Sequence, residues 1–376
     1  MFQTDVSCVS CATTLQSEAA QEAKKLSVCI EAKVESILKT NNFDEMGYPL
    51  DTHPHTISPT KLVNEIEYQE VLNKFKNNIP VSIQERLNNK VVDNDDFKRV
   101  TERINFEDKN LSVNISVDDI CCKQQKEHRK IKKVVTPAKK KRKRKCNTEG
   151  QNPKYRSRPH HNVTVSHIQT TEGQYVLATQ GTPLAIRNAT ALILENKLID
   201  HNFVFYTDGQ RTLQDSILTR TSWHQSKIVL DWYHLNLKCE KQLYVGCKKG
   251  IQKDEFILKL VQLLWWGMTD TAIALLDQVP QDIIKEQLSI NGLKTYIERN
   301  KAFIPFYALR KELGLRNSSA IGEKYNDLVV AQRQKRNGMS WSKDGTDNLA
   351  ILKTLTINKE LEIWLATQSI DFKIAA

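Results

Sequence analysis

The sequence predicts an α/β protein: a mixed sheet flanked by helices, with a helical insertion and a mainly helical N-terminal region. Three observations carry that reading. The run Leu111-Ser-Val-Asn-Ile-Ser-Val-Asp118 alternates apolar and polar residues, the period of a strand. Two apolar runs, 203–207 and 227–230, suit strands buried between helices. Around them, apolar residues recur three and four apart, as in helices that pack on a sheet.

Taken in order, residues 1–110 read as polar and helical. Segments 61–76 and 81–87 carry spaced apolar residues, with Pro80 at the break. Ser82, with Glu85 three residues on, predicts a capping box, and two short helices about a turn suit a helix-turn-helix. Residues 111–240 form the first part of the core. Leu111, Val113, Ile115 and Val117 share one face, which predicts a half-buried strand closing at Asp118, with Asp119 turned to the apolar side. A basic loop over 123–161 follows, aperiodic and containing Pro137. Segments 162–169 and 174–180 predict a hairpin through Thr170-Thr-Glu-Gly173, the glycine supplying a positive φ. Pro183 suits the first turn of a helix over 183–197. The run 203–207 stops at Asp208-Gly209, and Leu213 and Ile217 then sit four apart on a short helix. Strand 227–230 ends at Asp231, with helix from about His234. Residues 241–312 are a helical insertion whose Trp265-Trp266 pair suits a core, the other use being stacking on a displaced base. Residues 313–376 supply the final helices. This order suits a ribonuclease-H-like core interrupted by an insertion.

Composition narrows the class. The chain has 376 residues, enough for two or three domains, and 40% hydrophobic with 26% charged residues is a folding composition. No apolar run reaches the eighteen or so residues of a membrane span; the best, 256–268, is broken by Lys259 and Gln262. The first residues lack a basic and apolar leader, and eight cysteines in this length are no disulfide scaffold, so a reducing, cytoplasmic setting is expected. Cys8-x-x-Cys11 is half of a zinc knuckle that Cys29, His53 or His55 would have to complete; free thiols are the simpler reading. Lys and Arg number 55 against 44 Asp and Glu, a net charge of +11. From Lys123 to Lys145 there are thirteen cations and one acid, Glu127, so this window carries +12 and everything else −1. Such an arm attracts phosphate backbones by releasing their counterions, and in a eukaryotic host it would serve as a nuclear address.

Three carboxylates fall where chemistry could use them. Asp118 ends the first strand, and Asp208 stands where a buried strand gives way to a Gly turn, the edge at which open α/β sheets bind ligands. Glu323 begins a helix on which Ile321, Tyr325, Leu328 and Gln332 lean one way, and Glu323, Asn326 and Asp327 the other. Mg²⁺ and Mn²⁺ take oxygen ligands, and two such ions about 3.5–4 Å apart clamp both oxygens of an in-line phosphoryl displacement. Turn formation and helix-dipole complementation are the ordinary uses of the same residues.

The runs Tyr206-Thr-Asp-Gly-Gln-Arg-Thr-Leu-Gln-Asp-Ser-Ile217 and Lys227-Ile-Val-Leu-Asp-Trp-Tyr-His-Leu235 resemble the core of DDE transposases of the Mutator-like type and of related bacterial insertion-sequence families. The stretch from Asn317 through Glu323 to Lys335, followed by Asn337-Gly-Met-Ser-Trp-Ser342, is similar to their closing block. The matching covers about 200–240 and 313–355 well, the Asp118 strand moderately and the first hundred residues poorly. The resemblance implies a catalytic, metal-binding triad of Asp118, Asp208 and Glu323 holding two Mg²⁺ or Mn²⁺ ions. It makes Asp231 and His234 an auxiliary Asp-x-x-His pair, with Asp119 the alternative first acid. It further implies cleavage and strand transfer of DNA, with terminal repeats and target DNA as partners and assembly as a dimer or larger on DNA. Phosphates would be held by Lys139, Lys140, Lys141, Arg142, Lys143, Arg144 and Lys145 of the arm and by Arg333, Lys335 and Arg336. The competing expectation is a domesticated, catalytically inactive descendant that only binds DNA.

Overall fold

The computed structural model describes residues 9–51, 62–101, 106–125, 160–336 and 339–374, with side chains from residue 18 onward except those of 99–101. Five strands, β1 (Ser112–Lys123), β2 (His160–Gln169), β3 (Gln174–Thr179), β4 (Asn202–Thr207) and β5 (Ser226–Leu230), form a sheet in the order β3-β2-β1-β4-β5. β1, β2 and β3 pair antiparallel, whereas β1, β4 and β5 pair parallel. Chain connectivity dictates this. The four residues 170–173 can only reverse the chain, whereas β4 and β5 each follow a helix, as parallel crossovers require.

The helices preceding the sheet are α1 (Val9–Thr40), α2 (Glu65–Asn77), α3 (Val81–Asn88) and α4 (Asn94–Thr101). Within and after it come α5 (Thr182–Glu195), α6 (Arg211–Arg220), α7 (Trp232–Gly246), α8 (Ile251–Trp265), α9 (Thr269–Leu276), α10 (Gln287–Asn300) and α11 (Tyr307–Glu312). The chain closes with α12 (Ala320–Asn326), α13 (Gln332–Gln334), α14 (Lys343–Ile357) and α15 (Leu361–Thr367). None of the described helices is long and apolar enough to cross a membrane.

Strand parity divides the core between the two faces. Val113, Ile115 and Val117 of β1 and Phe203 and Phe205 of β4 meet α1, α5, α6, α14 and α15. On the opposite face, Val204, Tyr206 and Val229 meet α7 to α11, while Ile120 and Cys122 meet Tyr325, Val329 and Val330. All six residues of β4 are buried, so both faces must be apolar, each buried Phe contributing about 1.5–3 kcal/mol. Helix α1 joins the first core through Leu26, Ile30, Val34, Ile37 and Leu38, a three-to-four spaced stripe. Helices α2 and α3 turn Tyr68, Leu72, Phe75 and Ile83 into the second core, where Phe75 packs 4.6 Å from the Trp266 ring. The two-helix pair suggested by the sequence is thus seated on the insertion. Trp266 is buried and Trp265 stands edge-on to Trp232 at 4.7 Å, so both rings pack within the protein.

Several local expectations are corrected. Strand β1 is not half-buried and does not close at Asp118. Its polar side is covered too, Ser112 and Ser116 being buried, and pairing with β2 carries it on to Lys123. His160 and His161 likewise start β2 inside the expected loop. Residues 126–159, which include Lys139 to Lys145, lie outside the described residues. Gly173 does not have a positive φ; the hairpin instead uses Thr170, whose Oγ1 accepts from the Glu172 N–H at 3.1 Å. Ser82 is not the cap of α3. Pro80 holds that position, its carbonyl accepting from Ile83 and Gln84, and Ser82 turns to Gln262. Gln332 does not share the Ile321–Tyr325 face, because a π-helical turn at Asp327–Ala331 shifts the helical phase and leaves it exposed.

Candidate active site

Register brings the first two acids together. The last β1–β4 pair is Ser116↔Tyr206, and two residues further along each parallel strand stand Asp118 and Asp208. A two-residue step preserves the face, and parallel direction puts both at the same sheet edge. Asp119 belongs to the other face, where its Oδ1 accepts from Thr164 Oγ1 at 2.5 Å. Of the adjacent pair, Asp118 is therefore the acid turned to the cleft. That cleft, about 40 Å³, is lined by Asp118, Asp208, His234 and Glu323 together with Ser116, Tyr206, Ser319, Gly322 and Asn326. A larger hollow of about 530 Å³, between α1, α5 and α14, contains none of these acids.

Glu323 reaches the cleft through close packing. Gly322 lies so near β1 that a Cβ there would stand 2.6 Å from Ser116 Cβ. Only glycine lets α12 approach this far. One turn on, Asn326 Nδ2 donates to Asp118 Oδ2 at 2.6 Å, tying helix to strand. His234 Nε2 lies 2.6 Å from Glu323 Oε1, so the imidazole orients that carboxylate. Asp327 stays at the surface, accepting from Gln332, and does not line the cleft.

The Asp-x-x-His pair divides into two roles. Asp231 is buried and caps α7, its Oδ1 accepting from the His234 N–H at 2.9 Å. Its other oxygen accepts from the backbone N–H and the hydroxyl of Ser319, just ahead of α12. Asp231 thus joins the end of β5 to the turn presenting Glu323, while His234 alone of the pair lines the cleft.

The Asp208 turn is held by the insertion. Asp208 Oδ1 accepts from the Gln210 N–H at 2.8 Å, a local Asx turn. Tyr296 of α10 donates its hydroxyl to the Asp208 carbonyl at 3.0 Å, and Arg299 donates to the Gly209 carbonyl at 3.1 Å. Gly209 has φ +90°, and a Cβ there would meet the Tyr296 hydroxyl at 2.5 Å. Sequence reasoning missed Tyr296 and Arg299, since an amphipathic helix gives no sign of which turn its polar residues grip. Asn326 carried a signal: it lies three residues past Glu323, hence on the same side of the helix.

Electrostatics mark the cleft as cation-seeking. Burial pushes the Asp118 carboxyl up to about 6, reinforced by the charges of Asp208 and Asp119, while the Asp119 N–H and His234 pull it down. The residue keeps one side open to solvent. An all-oxygen set of three carboxylates fits hard divalent ions. Among the described residues no three His, Cys, Asp or Glu side chains are already gathered at metal-holding distances. Mutual repulsion opposes such gathering, and Asn326 and His234 already engage two of the acids.

The remaining expected residues fall elsewhere. Arg333, Lys335 and Arg336 are exposed. They precede Trp341, whose N–H donates to the Lys123 carbonyl at 3.0 Å and whose carbonyl accepts from Gln125 at 2.7 Å. This cationic segment therefore borders the point where β1 leads into the basic arm. Ser342 caps α14, accepting from the Gly345 N–H. For the zinc reading, Cys8, His53 and His55 lie outside the described residues. Cys11 and Cys29 share the continuous helix α1, eighteen residues and hence roughly 27 Å apart, too far for one ion. No protein-family model matches the chain, and no curated protein matches it, so the functional reading rests on the chemistry of the cleft.

Proposed function

We propose that the protein is a transposase that cuts and joins DNA by metal-dependent phosphoryl transfer on a ribonuclease-H-like core. One observation carries this reading: Asp118, Asp208 and Glu323, separated by up to 205 residues (323 − 118), line one cleft at the C-terminal edge of the parallel strands. The sheet order, with an antiparallel meander on one side of β1 and parallel crossovers on the other, supports the fold assignment.

In this mechanism Asp118, Asp208 and Glu323 would hold two Mg²⁺ or Mn²⁺ ions. Such ions, when bound, activate a hydroxyl nucleophile and stabilise the leaving oxygen. The chain's own residues set the frame. The two strand acids are fixed by register, Asn326 orients Asp118, and His234 orients Glu323. Asp231 fixes both the start of α7 and the Ser319 turn. Water would attack a phosphodiester at the element end, and the freed 3′-hydroxyl would then attack target DNA, so no nucleophilic side chain is needed. The arm cations Lys139 to Lys145, with Arg333, Lys335 and Arg336, would hold flanking phosphates. Coordinating two ends implies a dimer or larger assembly on DNA.

A second reading, a transposase-derived protein that binds DNA without cutting it, draws on the poor match of the first hundred residues to the family. Nicking of DNA in Mg²⁺ or Mn²⁺ separates the two. Asp208→Asn should abolish nicking while leaving DNA affinity intact or raised, because it removes a metal ligand and a negative charge beside phosphate. Retained nicking by that variant would exclude Asp208 from the metal site, and binding without nicking by the unmodified protein would leave only the second reading.

A further inference from the structure

The acidic cleft poses an electrostatic problem for its own substrate: three carboxylates repel the phosphate they are meant to act on. Beside the Asp208 turn that borders the cleft, α7 and α10 each place a cation. Lys238 lies four residues after His234, on the same stripe of α7, and His234 lines the cleft. Its Nζ sits 5.5 Å from the centroid of the Tyr296 ring. The guanidinium carbon of Arg299 sits 5.6 Å from the same centroid. Among the described residues neither cation is matched to a carboxylate by an ion pair.

Tyr296 ties this arrangement to the site. Its ring contacts both cations, and its hydroxyl donates to the carbonyl of Asp208. Arg299 uses one N–H on the Gly209 carbonyl, one residue beyond Asp208. A guanidinium carries five donors, so the others are left for an anion. Holding a cation over an aromatic face fixes its position without neutralising its charge. The result is two positive charges beside the Asp208 turn, neither of them ion-paired to a carboxylate among the described residues.

We propose that Lys238 and Arg299, aligned on the Tyr296 ring, form a phosphate-binding pair that seats the nucleic-acid backbone on the rim of the acidic cleft. The pair extends the nucleic-acid reading given above and is independent of whether the bound strand is cut. It also gives the insertion a part in substrate binding, through a segment far in sequence from the basic arm.

Binding of the full chain to a short DNA duplex, measured in EDTA across a range of salt concentrations, tests it. Each phosphate contact contributes about 0.9 to the slope of log K against log salt. The double variant Lys238→Gln/Arg299→Gln should flatten the slope by about 1.8, and Lys238→Gln alone by about 0.9. Lys238→Arg should keep it, as should Tyr296→Phe, which retains the ring. Lys39→Gln, at the distant end of α1, serves as the control for general charge loss and should change nothing. An unchanged slope in the double variant overturns the pair, and so does an equal loss in the Lys39 control. Nicking by the unmodified protein is scored separately. A flattened slope with no nicking sustains the pair and removes the cutting reading, whereas nicking with an unchanged slope removes the pair alone.

Discussion

The turn that carries Asp208 and the turn that leads to Glu323 deliver an acid to the same cleft by different physical means. Asp208 directly follows a strand, so its place is set by β4 register and by an Asx turn to its own Gln210. The insertion then adds two hydrogen bonds to the backbone carbonyls of Asp208 and Gly209. Glu323 has no such local frame. Its turn is braced by Asp231 between β5 and α7, by Arg310 beneath residues 316 and 317, and by the contact of Gly322 with Ser116. One acid is placed by the chain next to it, the other by a tertiary assembly. The second should therefore be the more fragile, and substitutions remote from the cleft should reach it.

The largest effect is expected at Glu107. Its carboxylate and the Arg310 guanidinium are buried and 2.6 Å apart, with Lys227 at 3.0 Å from the other oxygen. Arg310 in turn donates to the Arg316 carbonyl at 2.9 Å and to Asn317, whose carbonyl accepts from the Trp232 N–H. Glu107→Gln strands a buried cation under the Glu323 turn and should cost about 3–5 kcal/mol in denaturant unfolding. Burial alone would raise the Glu107 carboxyl, but the Arg310 and Lys227 charges outweigh it and pull it down to about 2. A depressed acid stabilises the fold fully above its ordinary 4.5, and that contribution is lost as pH falls from there toward about 2. The unmodified protein should lose stability across this window more steeply than the variant. Parallel acid-unfolding curves would show that Glu107 is not the anchor.

This contrast also decides what could be read from the sequence. The Asp208 turn was legible because its determinants are contiguous: an apolar run, then Asp-Gly. Strand parity made legible that Asp118 and Asp119 take opposite faces; which of them meets the cleft stayed open in the sequence and follows from the β1–β4 register and the Thr164 contact of Asp119. Burial of that polar side was not legible, because the cover comes from α12, some two hundred residues later. Pro80 displaced Ser82 as the cap of α3 by the same kind of local competition that a pattern of Ser and Glu cannot reveal. The π-helical turn after Asn326, which returns Gln332 to solvent, has no signature in apolar spacing. Tyr296 and Arg299 were hidden for a different reason: their partners are backbone carbonyls, which every residue carries.

Gly322→Ala sharpens the comparison at intermediate size. The added methyl would stand 2.6 Å from Ser116 Cβ and 3.1 Å from its hydroxyl, so α12 or β1 must move. Overpacking of this kind costs about 1–3 kcal/mol. A shift of about 1 Å in a reacting group can lower a rate on the order of 100-fold. Nicking should therefore fall far more than the stability loss would suggest, with the affinity for DNA in EDTA unchanged. Because Ser116 supplies the clash, Ser116→Gly in the same chain should restore part of the rate. Full activity in Gly322→Ala would mean that the approach of α12 to β1 does not set Glu323.

The smallest effect is expected at the better-framed acid. Tyr296→Phe deletes one hydrogen bond to the Asp208 carbonyl and leaves the ring in place. A single such bond contributes about 0.5–1.5 kcal/mol, and the carbonyl it leaves is at an exposed turn where water can replace the donor. Asp208 also keeps its register, its Asx turn and the neighbouring Arg299 contact. The variant should thus lose about 1 kcal/mol or less in thermal or denaturant unfolding, and nicking should fall much less than in Gly322→Ala. If Tyr296→Phe proved as damaging as Gly322→Ala, the Asp208 turn would be as dependent on tertiary support as the Glu323 turn. The insertion would then be the frame of the first acid as well, and strand register would be insufficient to place it.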